Sequence, residues 1–323
     1  ILFKLMINNI SVVIPSFNEE ENIEVLYSRV KKSLLDNNVN DYEVIYIENG
    51  SKDNSLSILK NLNKKDSSVK VISFTRNFGL QNAIYAGLNF ASKDYVFVLD
   101  GDLQDPPELL KDFSKKINEG YDVVYGIRKK RKINFFKKIC YKIFYYFFSN
   151  LSEIEMPSQV GEFCLMKKKV VDTIKDFKEK NLFLRGLRYW VGFKQIGIEY
   201  TRPNRNAGKE KFNFFSSFLF GLDGLISFSI FPLRVILIIG MISSIFSILF
   251  SVFIFLIKLL SILEIISNDA LLLMPKGLTA TTIFLLVSFS LIIFSLGIIG
   301  EYIAKIYYEV KQRPNYIINE IIK

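Results

Sequence analysis

Asp100-Gly101-Asp102-Leu103-Gln104-Asp105-Pro106-Pro107 follows directly on the apolar run Tyr95-Val96-Phe97-Val98-Leu99. Two carboxylates one residue apart at the end of a buried strand repel one another and lose water, so holding both as anions is costly. A cation relieves both penalties. The Asp100 and Asp102 carboxylates and the Gln104 amide oxygen are hard donors that suit Mg²⁺ or Mn²⁺, whose remaining positions would go to water and phosphate oxygens. A polar, helix-capping loop before Pro-Pro has the same composition, so position must decide between the two readings. The chain contains no histidine, which leaves proton transfer to carboxylates, Lys, Tyr or the substrate itself. Cys140 and Cys164 are isolated thiols without metal spacing; they give no disulfide framework and suit a reducing compartment.

The elements that must position these groups are legible as an alternation. Residues 11–14, 42–47, 69–74 and 95–99 read as buried strands, and 19–35, 53–62 and 80–91 between them carry apolar residues at helical spacing. Such a rhythm predicts a mostly parallel sheet with helices on both faces, and ligands at the carboxyl ends of its strands. That edge is where three polar clusters fall: 15–19, 48–53 and 100–105. Their convergence favours the metal reading over the capping loop.

Half of the 323 residues are apolar and the formal charge is +10. Segments 235–257 and 277–300 carry no charged residue; each runs to roughly 23 residues, enough to cross a hydrocarbon core of ~30 Å as a helix. Two membrane-spanning helices are expected. Arg202, Arg205, Lys209, Lys211 and Arg234 precede the first, and Lys305, Lys311 and Arg313 follow or end the second. Only Lys258 and Lys276, against Glu264 and Asp269, lie between them. This bias places the N-terminal part and the C-terminal tail together in the cytoplasm. Residues 1–9 are short, mixed and run straight into a strand, so no cleavable secretory signal is expected. Segment 131–148 interleaves Lys with Phe, Tyr and Ile, the composition of a helix lying in a lipid interface, and 212–230 reads as a second such element. With spans nearby, the bilayer and not nucleic acid is the expected partner of these basic, aromatic stretches.

Several motifs carry a family resemblance. Val12-Val13-Ile14-Pro15-Ser16-Phe17-Asn18-Glu19-Glu20, Gly50-Ser51-Lys52-Asp53, Arg76-Asn77-Phe78-Gly79 and the segment 100–107 resemble glycosyltransferase family 2 with the GT-A fold. Gly161-Glu162-Phe163, Arg185-Gly186-Leu187, Trp190-Val191-Gly192-Phe193, the segment 202–212 and Pro232-Leu233-Arg234 narrow the likeness to its polyprenyl-phosphate branch. The resemblance covers residues 10–310. It implies an α/β, Rossmann-like catalytic domain over 1–230, a two-span membrane domain over 231–305, and a cytoplasmic tail over 306–323. The implied activity is inverting transfer of a hexose, glucose first, from a UDP-sugar to undecaprenyl phosphate on the cytoplasmic face of the inner membrane. The product would be a lipid-linked sugar for cell-envelope glycans. UDP-GlcNAc, UDP-aminoarabinose and GDP-mannose are alternative donors, and a degenerate lipid-phosphate-binding protein is the alternative class. The Gln-x-x-Arg-Trp signature of processive polysaccharide synthases is absent. Self-association is left open.

The resemblance also implies roles. Pro15, Phe17, Glu19, Ile47 and Asn49 would hold the nucleotide, with Asp100, Gly101, Asp102, Arg205 and Lys211 at its diphosphate. Asp100, Asp102 and Gln104 would hold the metal. Arg128, with Arg131 as second choice, would neutralise the acceptor phosphate, and Glu162 would join Asp100, Asp102 and Arg128 in the catalytic group. A phosphate monoester whose second pKa is near ~6 is already ionised at neutral pH, so no strong general base is needed. The chain departs from the family pattern at Glu48-Asn49 (commonly Asp-Asp), Glu162 (commonly Asp), Cys164 (frequently Arg) and Glu210 (often Ser). Asn49 can accept from uracil N3–H and donate to O4, whereas Asp only accepts, which points toward a uridine donor.

Overall fold

Four apolar runs form the parallel centre of a sheet: β1 (Asn9–Ser16), β2 (Asp41–Glu48), β3 (Val69–Phe74) and β4 (Tyr95–Val98). They are buried almost end to end because helices cover both faces. α1 (Ile23–Asp36), α2 (Ser55–Lys65) and α3 (Leu80–Phe90) are the crossovers. α4 (Leu110–Asn118) leads into β5 (Val123–Arg128). β6 (Val160–Lys167), α5 (Lys168–Lys175), α6 (Leu184–Trp190) and β7 (Gln195–Tyr200) follow. Two long helices, α7 (Phe231–Ile262) and α8 (Leu278–Lys311), precede a last strand, β8 (Ile318–Ile322). The computed structural model describes residues 7–129, 160–177, 179–180, 182–201, 231–263 and 278–323. Arg131, Arg205, Glu210, Lys211 and the segments 131–148 and 212–230 lie outside the described residues.

The chain divides into two compact units, Ile1–Phe228 with Gln312–Lys323, and Ser229–Lys311. In the first, eight strands form one sheet in the order β7-β5-β6-β4-β1-β2-β3-β8. β1 pairs in parallel with both β2 and β4, and β2 with β3, as the alternation predicts. β6 runs antiparallel to β4 and β5, and β8 antiparallel to β3. One apolar layer includes Leu26, Phe97, Phe113 and Phe163, whose Phe97, Phe113 and Phe163 rings lie 5.0–6.0 Å apart; the opposite layer includes Val13, Ile47, Ala83 and Ile84. α1 starts at Ile23, later than the apolar pattern suggests, because the preceding turn spends its polar groups on another loop, as described below.

In the second unit, Ser288–Lys311 of α8 is a 24-residue stretch containing an 18-residue window of mean hydropathy 1.7, long and apolar enough to cross a membrane by length and composition. It is the one such stretch among the described residues, and it lies toward the C-terminal side of the expected 277–300. The other expected span, 235–257, falls within α7.

Candidate active site

The sheet order reverses at β1, which has β2 on one side and β4 on the other, so a crevice opens at the carboxyl ends of these strands. Register aligns Pro15 with Ile47 and Ser16 with Glu48, and Asn49 N–H donates to Ser16 O (2.9 Å). The loops beyond are laced by side chains. Asn18 takes a left-handed φ of 52°, its N–H donates to Ser51 Oγ (3.0 Å), and its own Oδ1 accepts from Lys52 N–H (2.8 Å). Glu19 N–H donates to Ser55 Oγ (3.0 Å), and the Glu19 carboxylate accepts from Asn22 Nδ2 (2.6 Å). A Cβ at Gly101 would stand 2.8 Å from Pro15 O and 3.8 Å from Glu19 Cγ, so only glycine lets the third cluster close on the first.

Asp105 shapes the carboxylate loop. It is fully buried, accepts from Asp100 N–H at Oδ2 (3.3 Å) and from the Tyr200 hydroxyl at Oδ1 (2.6 Å). Leu103 sits at a left-handed φ of 63°, a conformation costly for a branched side chain, and its burial in the apolar layer holds it there. Asp102 and Gln104 on either side are buried, and Asp102 Oδ1 accepts from Gln104 N–H (3.2 Å). Arg128, at the end of β5, places Nη2 3.8 Å from Asp100 Oδ2, and its Nε donates to the Tyr200 hydroxyl oxygen (3.4 Å). Burial alone would lower the Arg128 pKa, but Asp105, Tyr200 and Asp100 outweigh it and hold the guanidinium above its ordinary value. Burial, with Asp105 beside it, pushes the Tyr200 phenol up.

Glu162 stands apart from that network. On β6, Gly161 lies against the Arg128 guanidinium, so the alternation of a strand turns Glu162 to the other face. Extending the antiparallel Val98–Cys164 pairing by two positions sets it level with Asp100. Its Oε1 meets Arg185 Nε (3.0 Å) and accepts from Gln81 Nε2 (2.9 Å), while Gln81 Oε1 accepts from Leu184 N–H (2.9 Å). The arginine that Glu162 orients is thus Arg185, not Arg128. Asn49 is buried and its Oδ1 accepts from Phe78 N–H (2.9 Å). The expected two-way pairing with uracil therefore has one oxygen lone pair already engaged, and the amide NH₂ is the group left to donate. Ile47 has no exposed surface and belongs to the apolar layer with Ala83 and Ile84, so its side chain acts on this edge by packing.

Two carboxylates, an amide and a guanidinium at one sheet edge can gather a cation and phosphates. Among the described residues no group of three His, Cys, Asp or Glu side chains that could hold a metal occurs. The donor set nonetheless fits a hard cation that keeps positions for water and phosphate, since two carboxylates suffice for Mg²⁺ when the substrate supplies the rest.

Residues 11–175 match the model of the family described as Glycosyl transferase family 2. The chain is 40% identical over 311 residues to the uncharacterized glycosyltransferase YkcC of Bacillus subtilis, covering 96% of this chain and 93% of that protein. It is 37% identical over 312 residues to the bactoprenol glucosyl transferase of Shigella phage SfII, covering 96% and 97%. The chain belongs to glycosyltransferase family 2. A structure of S. aureus TarS 1–349 in complex with UDP-GlcNAc shares 16% identity over 68% of this glycosyltransferase and 66% of that 1–349 chain, at a TM-score of 0.45, too loose a likeness to bear on the site.

Sequence reading of this glycosyltransferase missed Tyr200, Gln81 and the structural part of Asp105. Each acts through a partner far along the chain: Tyr200 is 95 positions from Asp105 and Gln81 is 81 from Glu162. The polar pair Gln81-Asn82 in the first turn of α3, ahead of the apolar Ala83-Ile84, was the one local signal.

Proposed function

We propose that this family 2 glycosyltransferase moves a hexose, glucose first, from a UDP-sugar to a polyprenyl phosphate such as undecaprenyl phosphate, with inversion, at the cytoplasmic face of the inner membrane. One observation carries the reading: the likeness to a protein named bactoprenol glucosyl transferase runs through 96% of this chain, past the catalytic sheet and into the long apolar helices. Two spans are the reading of those helices. β8 closes the same sheet that β1 begins, so the chain between them must cross a bilayer an even number of times or not at all.

Asp100 and Asp102, with Gln104, would hold Mg²⁺ or Mn²⁺, which when bound supplies positive charge to a departing diphosphate. Arg128 offers planar paired donors to a phosphate monoester and lies beside Asp100, where donor and acceptor anions must meet. The acceptor oxygen, already ionised at neutral pH, needs orientation and not deprotonation. Asn49 donates to a uracil carbonyl in this reading, and the family resemblance assigns Arg205 and Lys211, outside the described residues, to the diphosphate.

The test is purified full-length protein in nanodiscs with undecaprenyl phosphate, Mg²⁺ or Mn²⁺, and UDP-glucose, UDP-GlcNAc, UDP-aminoarabinose or GDP-mannose in separate reactions. A lipid-linked hexose formed from UDP-glucose is expected. Product from another donor only would remove glucose. Nucleotide binding with no lipid-linked product from any donor would overturn the transfer itself.

A further inference from the structure

The segment after α8 returns to the catalytic sheet and takes hold of β3. β8 sets Val71 against Ile322, Ile72 against Ile321 and Ser73 against Glu320, and the register shifts between Ser73 and Phe74. Just past the shift, Thr75 N–H donates to Ile317 O (3.1 Å). Tyr316 stacks on Phe74 with ring centroids 5.1 Å apart and 11° between planes, and Asn89 Nδ2 donates to its hydroxyl (3.3 Å). Asn315 Nδ2 donates to Glu179 O (3.1 Å), and Lys60 pairs with Glu320 (2.7 Å). Pairing covers an edge strand whose N–H and C=O groups would otherwise face solvent. The ring stack is not needed for that cover.

From Phe74 the contacts continue into the Arg76-Asn77-Phe78-Gly79 motif. Phe78 packs edge-on against Phe74 (5.8 Å, 87°), the Arg76 guanidinium lies 4.0 Å from the Phe78 ring centre, and Phe78 N–H holds the Asn49 amide oxygen. Gly50 has a φ of 69°, and a Cβ there would meet Arg76 C at 2.4 Å, so the 75–79 loop and the 49–51 turn are in backbone contact. A parallel route runs through the strand: Ser73 Oγ donates to Glu48 Oε2 (2.8 Å), and Glu48 Oε1 accepts from Ser51 N–H. Both routes end at residues 49–51.

We infer that Tyr316 is a positioning residue for the donor nucleotide. Stacked on Phe74, it fixes Phe78 and so the orientation of the Asn49 amide; the C-terminal strand is a strap that sets donor affinity from the end of the chain. The inference rests on the reading of Asn49 as part of the nucleotide site. Loss of a stacked ring pair corresponds to about a three- to tenfold change in an equilibrium.

Full-length parent, Tyr316→Ala, Tyr316→Leu and Tyr316→Phe in nanodiscs are titrated calorimetrically with UDP and with GDP in Mg²⁺, and KM is measured for donor and for polyprenyl phosphate. The nucleotide that the parent prefers should bind about three- to tenfold more weakly to Tyr316→Ala and Tyr316→Leu, and as in the parent to Tyr316→Phe. Donor KM should follow, and acceptor KM should not. Should Tyr316→Ala fail to fold, Tyr316→Leu carries the comparison, because it keeps apolar cover without a flat ring. Parent-like binding in the Leu variant overturns the inference, as does an equal rise in both KM values, which a loosened fold would give. A parent that prefers GDP ends the uridine reading alone, and the same comparison is then made with GDP. A parent that binds neither nucleotide removes the donor site and the inference with it.

Discussion

Asp100 is held from two directions, by its own loop through the N–H to Asp105 and across the sheet by Arg128. The first contact uses backbone, so a side-chain change at Asp100 leaves the loop's closure in place. Asp100→Ala should therefore fold and insert normally yet lower turnover by roughly a hundred- to a thousandfold, because charge on the departing diphosphate loses its counterweight; Asp102→Ala should lower turnover as much, and it also gives up the hydrogen bond from Gln104 N–H. Single-turnover assays with titrated Mn²⁺ check this, and full turnover in EDTA would sink the metal assignment. Gly161 tests Arg128 without touching its charge. A Cβ at Gly161 would lie 2.8 Å from Arg128 Nη2 and 3.3 Å from Cζ, and the flexible guanidinium, not the backbone, would give way. Gly161→Ala should keep the melting temperature near the parent's while kcat falls about ten- to a hundredfold, since misplacing a phosphate-binding group by an ångström is that costly. An unchanged kcat would show that Arg128 does not meet the reacting phosphate.

At the scale of elements, the opposite end of the sheet is tied by one buried carboxylate. Glu43 on β2 accepts from Ser11 Oγ of β1 (2.5 Å) and from Ser92 N–H (2.7 Å) before β4, and pairs with Lys70 of β3 (2.5 Å). Burial works to raise its pKa, but hydrogen bonds from Lys70, Ser11 and Ser92 outweigh it and hold the carboxyl below the usual carboxylate range. A depressed folded pKa stabilises the fold fully above the unfolded value of about 4.3, and that contribution is lost as pH falls through the lower folded value. Glu43→Gln should cost about 1–3 kcal/mol near neutral pH, and its deficit should shrink in acid. Thermal melts of both proteins across that range check the sign; a deficit that grows on acidification would refute it. The strands and crossover helices were legible because burial on both faces writes continuous apolar runs and three-to-four spacing into short segments. The start of α1 was not, because the turn from Pro15 to Asn22 is set by Ser51, Asp53 and Ser55 on a different loop.

For the whole molecule, the return of β8 to β3 ties both ends of the chain to one sheet. Whatever bilayer α7 and α8 enter, residues 9–16 and 318–322 must lie on the same side of it. In sealed inside-out vesicles, protease should remove an epitope appended after Lys323 and cleave the catalytic domain alike. Protection of the epitope while the domain is cut would break the topology and the two-span reading together.

Within reach of the amino-acid sequence alone lay the alternation of elements, the placing of Asp100, Asp102 and Gln104 at a strand end, and the long uncharged segments. All are short-range properties, set by side-chain type and period within a few turns of chain. Tertiary structure alone decided that Asp105, Tyr200 and Arg128 form one network across 95 and 72 positions, that Glu162 turns to Arg185, and that β8 adds to the edge of the sheet beside β3. Those outcomes depend on which strands become neighbours and in what register, and pairing between distant segments is chosen by packing of the whole sheet, not by any local pattern.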